Sequence, residues 1–311
     1  MSKVRTIYEE MLRFRESVGY NPLSIDKKLH LFVAYCEDNW PDETTITKEM
    51  VDSWLEYHSY SNNTQSSFIS GVRQVAKYFN YKGMKAFVPD EDYNLKRIPF
   101  EAYVPSDDEL KAFFNAVDCY SGHTCGKKFK PEIVLPVIFR MMFCLGMRPA
   151  EPLKLYAADV NSTTGDIYIR ETKGHRDRHL LMSDDMCRLC KTYESLVPKD
   201  RTWYFEVNAN RYLIEWIDQR FNRITSIAGI PEDKNFRPYD LRHTFASRNI
   251  TRWLEEGKDA MTFLPLLSQY MGHATLDSTF YYIHLIPDQL RKNTGVNWDR
   301  LAEVYGGRHG N

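Results

Sequence analysis

No run of about 18 or more apolar residues occurs in this chain, so a membrane-spanning helix is not expected. The opening residues, MSKVRTIYEEMLRFRESVGY, alternate charged and apolar side chains and lack the apolar centre of a secretory signal. Cysteine is scarce. Cys36, Cys119, Cys125, Cys144, Cys187 and Cys190 form no disulfide framework for 311 residues, and free thiols in a reducing cytoplasm are expected. Net charge is nearly absent at −1, so the overall balance does not announce a nucleic-acid partner as a strongly basic chain would. There is no GxxxxGK[ST] loop to suggest ATP and no HExxH motif to suggest a zinc hydrolase. The nearest approach to a metal pattern is Cys187 and Cys190, with His123 flanked by Cys119 and Cys125. DDMCRLCKTYESL has helical periodicity, however, and reads the cysteine pair as small apolar residues on one helix face. His175 and His179 lie four apart in an expected hairpin, where that spacing makes no helical metal face. Neither a metal nor a cofactor is expected.

Hydrophobic residues make up 43% of the chain, enough for a sizeable core, and the length suits two domains. Residues 1–88 read as four helices. Ile7, Met11, Leu12 and Phe14 mark the first, with Gly19 as its stop. Ser24 is placed to cap the second, Thr47 the third, and Asn62 or Asn63 the fourth. Residues 89–105 carry prolines without a clear period and read as a linker. Ser106 to Glu109 is a capping-box signature that opens a larger, mostly helical domain over 106–311. Ile167 and Ile169 alternate toward a turn at Lys173-Gly174, and the pattern resumes through Leu180, a β-hairpin signal. Further helices are expected over 210–228, 240–256 and 261–271. The fold class is therefore mainly α: a helical bundle, then a mostly helical domain with a small antiparallel sheet.

Local basic patches stand out against the neutral whole. GKKFK carries Lys127, Lys128 and Lys130, and KGHRDRH carries Lys173 and Arg176; each reads either as a DNA contact or as a solvated loop. The most informative stretch is MGHATLDSTFYYIH, with His273 and, nine positions later, Tyr282. Arg148 lies in CLGMRPAEPLKL and Arg242 in YDLRHTFASR. Attack on a phosphodiester needs a nucleophile, cations to hold the five-coordinate transition state, and a proton for the departing oxygen. Two arginines can clamp the non-bridging oxygens through planar, permanently charged forks. Lys173 in a turn can approach the leaving oxygen, and neighbouring cations would lower its usual pKa of about 10.4. A tyrosine phenol, with a pKa of about 10, can attack phosphorus given electrostatic help. Its product, a phosphotyrosine ester, keeps the energy of the broken bond and favours rejoining without ATP or metal.

These boxes resemble the tyrosine recombinases of the phage-integrase and Xer type. The resemblance rests on G-x-R-x-x-E at 146–151, T-K-G-x-R at 172–176, D-L-R-H-T-F-A at 240–246 and G-H-x8-Y at 272–282, and it spans nearly the whole chain. It implies a helical core-type DNA-binding domain followed by a catalytic domain. Arg148 and Arg242 become phosphate clamps, Lys173 the general acid, His273 a phosphate-contacting imidazole and Tyr282 the nucleophile. Glu151 matches an acidic residue that holds Arg148 or its helix in place. It also implies double-stranded DNA as partner, a dimer on each site, a tetramer in synapsis, and a 3′-phosphotyrosyl intermediate; accessory proteins stay open. One position departs from the pattern. The family has histidine three residues before its second arginine, and here Tyr239 stands there. Helical spacing puts Tyr239 on the face of Arg242 and turns the adjacent His243 away by about 100°.

Tyr281 competes with Tyr282, and the nine-residue offset from His273 favours Tyr282. Trp298, Leu301 and Val304 form an apolar stripe suited to docking on a neighbouring protomer or on its own domain. The first helix begins near Met1, so an additional arm-binding domain is not expected. A type IB topoisomerase and a DNA-binding regulator with a decayed site are the competing readings, the latter supported by Tyr239.

Overall fold

The computed structural model describes residues 2–20, 27–93, 95–96, 98, 101–121, 130–170, 177–273 and 275–282. The chain divides into two compact units, Met1–Phe100 and Glu101–Asn311.

The first unit is a bundle of α1 (Lys3–Ser17), α2 (Lys27–Asn39), α3 (Lys48–Tyr57) and α4 (Asn62–Tyr81). Its core joins one apolar stripe from each helix, including Tyr8, Phe32, Trp54, Phe68 and Phe79. Phe32 meets Phe68 and Trp54 edge-on, at 5.4 and 5.7 Å between ring centroids. Burying each such ring stabilises the bundle by about 1.5–3 kcal/mol. Local signals set the helix ends. Thr47 accepts a hydrogen bond from the Met50 N–H at 3.3 Å and caps α3. Past α1, the Tyr20 N–H reaches back to the Arg15 carbonyl at 2.9 Å, over Gly19 at φ +86°. The cap of α4 is Ser61, one residue before the expected asparagines, whose side chains instead bond carbonyls at residues 96 and 98. Ser24 lies outside the described residues.

The second unit opens with α5 (Asp107–Asp118), where Ser106 and Glu109 form the full capping box. Then follow α6 (Pro131–Leu145), β1 (Val160–Asn161), β2 (Asp166–Ile169), β3 (Arg178–Leu181), α7 (Asp184–Ser195), β4 (Glu206–Val207), β5 (Asn210–Arg211), α8 (Ile214–Ile227), α9 (Pro238–Glu255), α10 (Ala260–Met271) and α11 (Asp277–Phe280). The strands β1, β2 and β3 make an antiparallel sheet in which Ile167 faces Leu180 and Ile169 faces Arg178. The turn at Lys173-Gly174 lies outside the described residues. A second hairpin, β4–β5, occupies the start of the helix expected from residue 210. Asn208 and Ala209 hold φ of +51° and +60°, a tight turn that delays α8 to Ile214.

Phe113, Phe139, Phe221 and Phe236 cluster at the centre of this unit with ring centroids 4.9–5.7 Å apart. Cys190 is fully buried with its thiol 3.5 Å from the Met182 sulfur, and the Cys187 sulfur lies against Gly165; both pack as small apolar groups. Helix α6 packs on α9, and α10 on α9 and on β3. These contacts bring the ends of α6 and α10 to the middle of α9, with β3 against α10. No helix is long and apolar enough to cross a membrane among the described residues.

Candidate active site

Helix α6 stops at Gly146, whose φ is +61°. A Cβ there would stand 2.5 Å from the Phe245 ring on α9, so conformation and space both require glycine. This close approach delivers the Gly146 carbonyl to Arg242, in the middle of α9. Arg242 is fully buried, and its guanidinium donates to the carbonyls of Gly146 at 2.5 Å and Met271 at 2.8 Å. The cation is held by backbone dipoles from two segments that sequence separates by more than a hundred residues. Burial pulls its pKa below the usual arginine value.

Arg148 follows two residues after Gly146. It donates through Nη1 to Glu151 at 2.9 Å and through Nη2 to the Gly272 carbonyl at 2.7 Å. Its backbone N–H also bonds Glu151, at 2.7 Å. A third arginine completes the group. Arg178 at the start of β3 forks onto both Glu151 oxygens, at 3.0 and 2.8 Å, and is itself buried. Burial alone would raise the Glu151 pKa; the hydrogen bonds and charge of Arg178, with the Arg148 N–H, outweigh it and hold the carboxyl ionised.

Helix α10 ends at Met271, and Gly272 at φ +66° turns the chain so that His273 faces inward. The His273 ring nitrogen Nδ1 lies 2.7 Å from the Thr279 hydroxyl. Its ring stacks on Tyr282 at 5.9 Å and 23°. Burial, then the charges of Arg242, Arg148 and Arg178, hold its pKa down at about 3, so this imidazole is neutral at neutral pH. Tyr282 is buried, and burial pushes its phenol up to about 12 against the pull of Arg242 and Arg148. A buried phenol among cations is protonated at rest, and each added positive contact makes its anion easier to form.

The neighbouring phenol does something else. Tyr281 accepts a hydrogen bond from the Ala102 N–H at 2.9 Å, ahead of α5. Tyr239 is 38% exposed at the start of α9, close enough that its charge would act on both Arg242 and Tyr282. The His243 ring sits among all three phenols, 5.0 Å from Tyr239, 5.7 Å from Tyr281 and 5.5 Å from Tyr282. Burial and then the Arg242 and Arg237 charges lower its pKa to about 4. This differs from the expectation that His243 points away. A helix wheel orders side chains around α9, but Tyr281 and Tyr282 follow α11 and close over that side of it.

An open cleft of about 690 Å³ adjoins this group, lined by Arg178, His179, Gln269, Tyr270, Gly272 and His273. Of the residues expected at the site, the fold gathers Arg148, Arg242, His273 and Tyr282, with Tyr239 at the rim. Lys127, Lys128, Lys173 and Arg176 lie outside the described residues, as do Trp298, Leu301 and Val304. Lys130 is not brought to the group: it caps α6 at the end opposite Gly146, about 22 Å away along a 15-residue helix. Arg178 is the residue that motif reading passed over. The alternation of Ile167 and Ile169, with Leu180 opposite, puts Arg178 on the core face, and a cation at an inward strand position was the available signal. Among the described residues no group of three His, Cys, Asp or Glu is placed to hold a metal ion.

The phage integrase family model matches residues 108–288. A Sinorhizobium fredii protein named as an integrase/recombinase (y4rE) is 28% identical over 286 residues, covering 88% of this chain and 89% of its own length. Tyrosine recombinase XerC of Staphylococcus saprophyticus is 23% identical over 309 residues, covering 94% and 96%. Among solved structures, XerH site-specific recombinase bound to palindromic difH substrate aligns with a TM-score of 0.60 at 18% identity, over 88% of this chain and 79% of that one. The Tn1549 transposon integrase in complex with transposon right end DNA gives 0.61 at 14% identity, over 91% and 94%. At these identities the two structures speak for the fold.

Proposed function

This chain belongs to the phage integrase family, and from that membership we propose that it is a site-specific DNA recombinase working through Tyr282. The Tyr282 oxygen attacks a backbone phosphorus, the bond from phosphorus to the 5′ oxygen breaks, and the DNA 3′ end stays esterified to the enzyme. Arg148 and Arg242 clamp the two non-bridging oxygens, where charge grows in the transition state. The neutral His273 donates one further hydrogen bond to the phosphate. Lys173 protonates the departing 5′ oxygen. The phenol proton passes to the neutral His243 imidazole, whose ring lies 5.5 Å from that of Tyr282, while Tyr239 stands where the family places a histidine. Attack by a 5′ hydroxyl from the partner strand reverses each step and reseals the DNA. The residues 1–88 serve as the core-type DNA-binding domain, joined by a linker over 89–105 to the catalytic domain. Two protomers occupy one site and four form the synapse. Binding should weaken steeply with salt, as phosphate neutralisation requires.

The observation that carries this reading is the sorting of the two phenols. Tyr282 lies among Arg242, Arg148 and His273, while the Tyr281 hydroxyl is engaged by Ala102. The test starts from a random-sequence duplex pool, from which wild-type chain captures DNA covalently. The recovered duplex is resynthesised with a nick beside the scissile phosphate, so that the cleaved end is lost. Tyr282→Phe should form no adduct resolvable on a denaturing gel, and Tyr281→Phe should retain it. Persistence of the adduct in Tyr282→Phe with its loss in Tyr281→Phe would overturn the assignment. Relaxation of supercoiled plasmid without dependence on the captured sequence would mark a topoisomerase instead.

A further inference from the structure

We propose that Arg178 is a positioning residue of this reaction: it occupies the Glu151 carboxylate so that the Arg148 guanidinium stays available to the phosphate. The inference rests on the reading of Arg148 as a phosphate clamp.

The four hydrogen bonds on Glu151 divide evenly. Oε1 accepts from Arg178 Nη1 at 3.0 Å and Arg148 Nη1 at 2.9 Å. Oε2 accepts from Arg178 Nη2 at 2.8 Å and the Arg148 backbone N–H at 2.7 Å. A carboxylate offers about four lone-pair directions, so the set is full. Arg148 therefore meets the carboxylate through only one guanidinium nitrogen. Its other anchor is the Gly272 carbonyl at 2.7 Å. Arg178 touches that anchor as well: a Cβ on Gly272 would stand 3.0 Å from its Nη1 and 3.3 Å from its Cδ and Cζ. One side chain thus braces both points that fix the plane of Arg148.

Charge gives the same answer. Arg148, Arg178 and Glu151 together carry +1, and Arg242 raises the group to +2. Without Arg178, the buried carboxylate has Arg148 as its remaining ionic partner. The two can close into a neutral bidentate pair, the geometry guanidinium and carboxylate prefer. Arg242 would then face the phosphate alone. A fork is needed at position 178 because a lysine ammonium spans one oxygen at a time.

The alternative is that Arg178 only stabilises the fold, as any buried ion pair can. The two roles separate in single-turnover cleavage of the captured, nicked duplex, with gel shifts and urea melts of the same full-length proteins. Arg178→Met should slow adduct formation by about 10²-fold per folded molecule, the scale of a misplaced catalytic group, with DNA affinity changed only a few-fold. Arg178→Lys should fall between Arg178→Met and wild type. Against an Arg148→Lys background, Arg178→Met should add almost nothing, because it acts through Arg148. The double variant Arg178→Met with Glu151→Gln removes the carboxylate charge and should regain at least roughly ten-fold of the lost rate; it also keeps the comparison available if Arg178→Met alone fails to fold. Cleavage by Arg178→Met at the wild-type rate overturns the proposal, as does full multiplication of its loss with that of Arg148→Lys. Absence of any adduct from wild-type chain would instead sink the recombinase reading, leaving the two failures distinct.

Discussion

Within Met1–Phe100 the buried polar and charged side chains reduce to one among the described residues, Ser66, whereas Glu101–Asn311 buries Glu151, Asp159, Arg178, Asp240, Arg242, His243 and His273. The first unit is held by what it hides from water. The second hides charges that folding alone would not choose, since each buried ion loses solvation that its partners must restore. The difference locates function by cost. A bundle of aromatic stripes can be rebuilt from many sequences, but carbonyls of Gly146 and Met271 aimed at one guanidinium call for a cation at that one position. The largest contrast should follow from one substitution in each. Phe68→Ala empties a fully buried site in the bundle and should lower stability by about 3–5 kcal/mol, with cleavage per folded molecule close to wild type. Arg242→Met exchanges a buried cation for an apolar chain but leaves the Gly146 and Met271 carbonyls without that donor, and should cost about 2–3 kcal/mol. Its cleavage should fall roughly 10³-fold, the upper range for losing a transition-state donor. Urea denaturation beside single-turnover cleavage reads both, and a severe stability loss in Arg242→Met would show that the second unit relies on its charges as the first relies on its rings.

Sequence legibility followed the same division. The bundle was readable because period and caps agree locally, as at Thr47 and Gly19. The sheet was readable only where it is long: Ile167 and Ile169 alternate, but β1, β4 and β5 are two residues each, too short to show a period. Asn208 and Ala209 in left-handed conformations broke a helix that composition would have begun at 210. Motif spacing picked out Arg148, Arg242, His273 and Tyr282, which the fold brings together, because those residues are fixed relative to their own segments. Arg178 and His243 were passed over because their surroundings depend on what other segments bring to them. Arg178 looked like part of a basic loop until β2 paired with β3, and His243 looked turned away until Tyr281 and Tyr282 closed over it.

A smaller effect should separate the units by pH. His273 and His243 have pKa values held down to about 3 and about 4, against about 6.5 for a free imidazole, so the fold keeps both neutral. As pH falls from about 6.5 toward 4, the unfolded chain binds two protons that the folded chain refuses, and stability is lost. Asp240 opposes this. Burial raises its pKa to about 6, so the folded chain keeps a proton that the unfolded chain releases, and acidification through that range favours folding. Two losses against one gain leave about one proton, or ~1.4 kcal/mol per pH unit near pH 5. Met1–Phe100 buries no histidine among its described residues. Urea melts from pH 7 to 5 should show the loss in wild type, and His243→Leu should flatten it nearly to zero. An undiminished slope in His243→Leu would mean that the buried imidazole is not the group refusing the proton.

The smallest expected effect tests where the comparison should fail. Helix caps act within one turn and answer to backbone geometry, not to what a unit stores, so Thr47→Ala and Ser106→Ala should cost similar amounts, about 1 kcal/mol. A modest ordering remains between them. Thr47 satisfies one N–H, on Met50, through a 3.3 Å bond. Ser106 bonds the Glu109 N–H at 3.3 Å while Glu109 returns a bond to the Ser106 N–H at 2.8 Å and to its hydroxyl at 2.9 Å, so removing the hydroxyl loosens both halves of the box. Ser106→Ala should therefore be the costlier by a few tenths of a kcal/mol, and neither change should alter cleavage. If Ser106→Ala slowed adduct formation at constant stability, the start of α5 would be coupled to the site, and the obvious route is short: Ala102, four residues before the cap, donates its N–H to Tyr281, the neighbour of Tyr282.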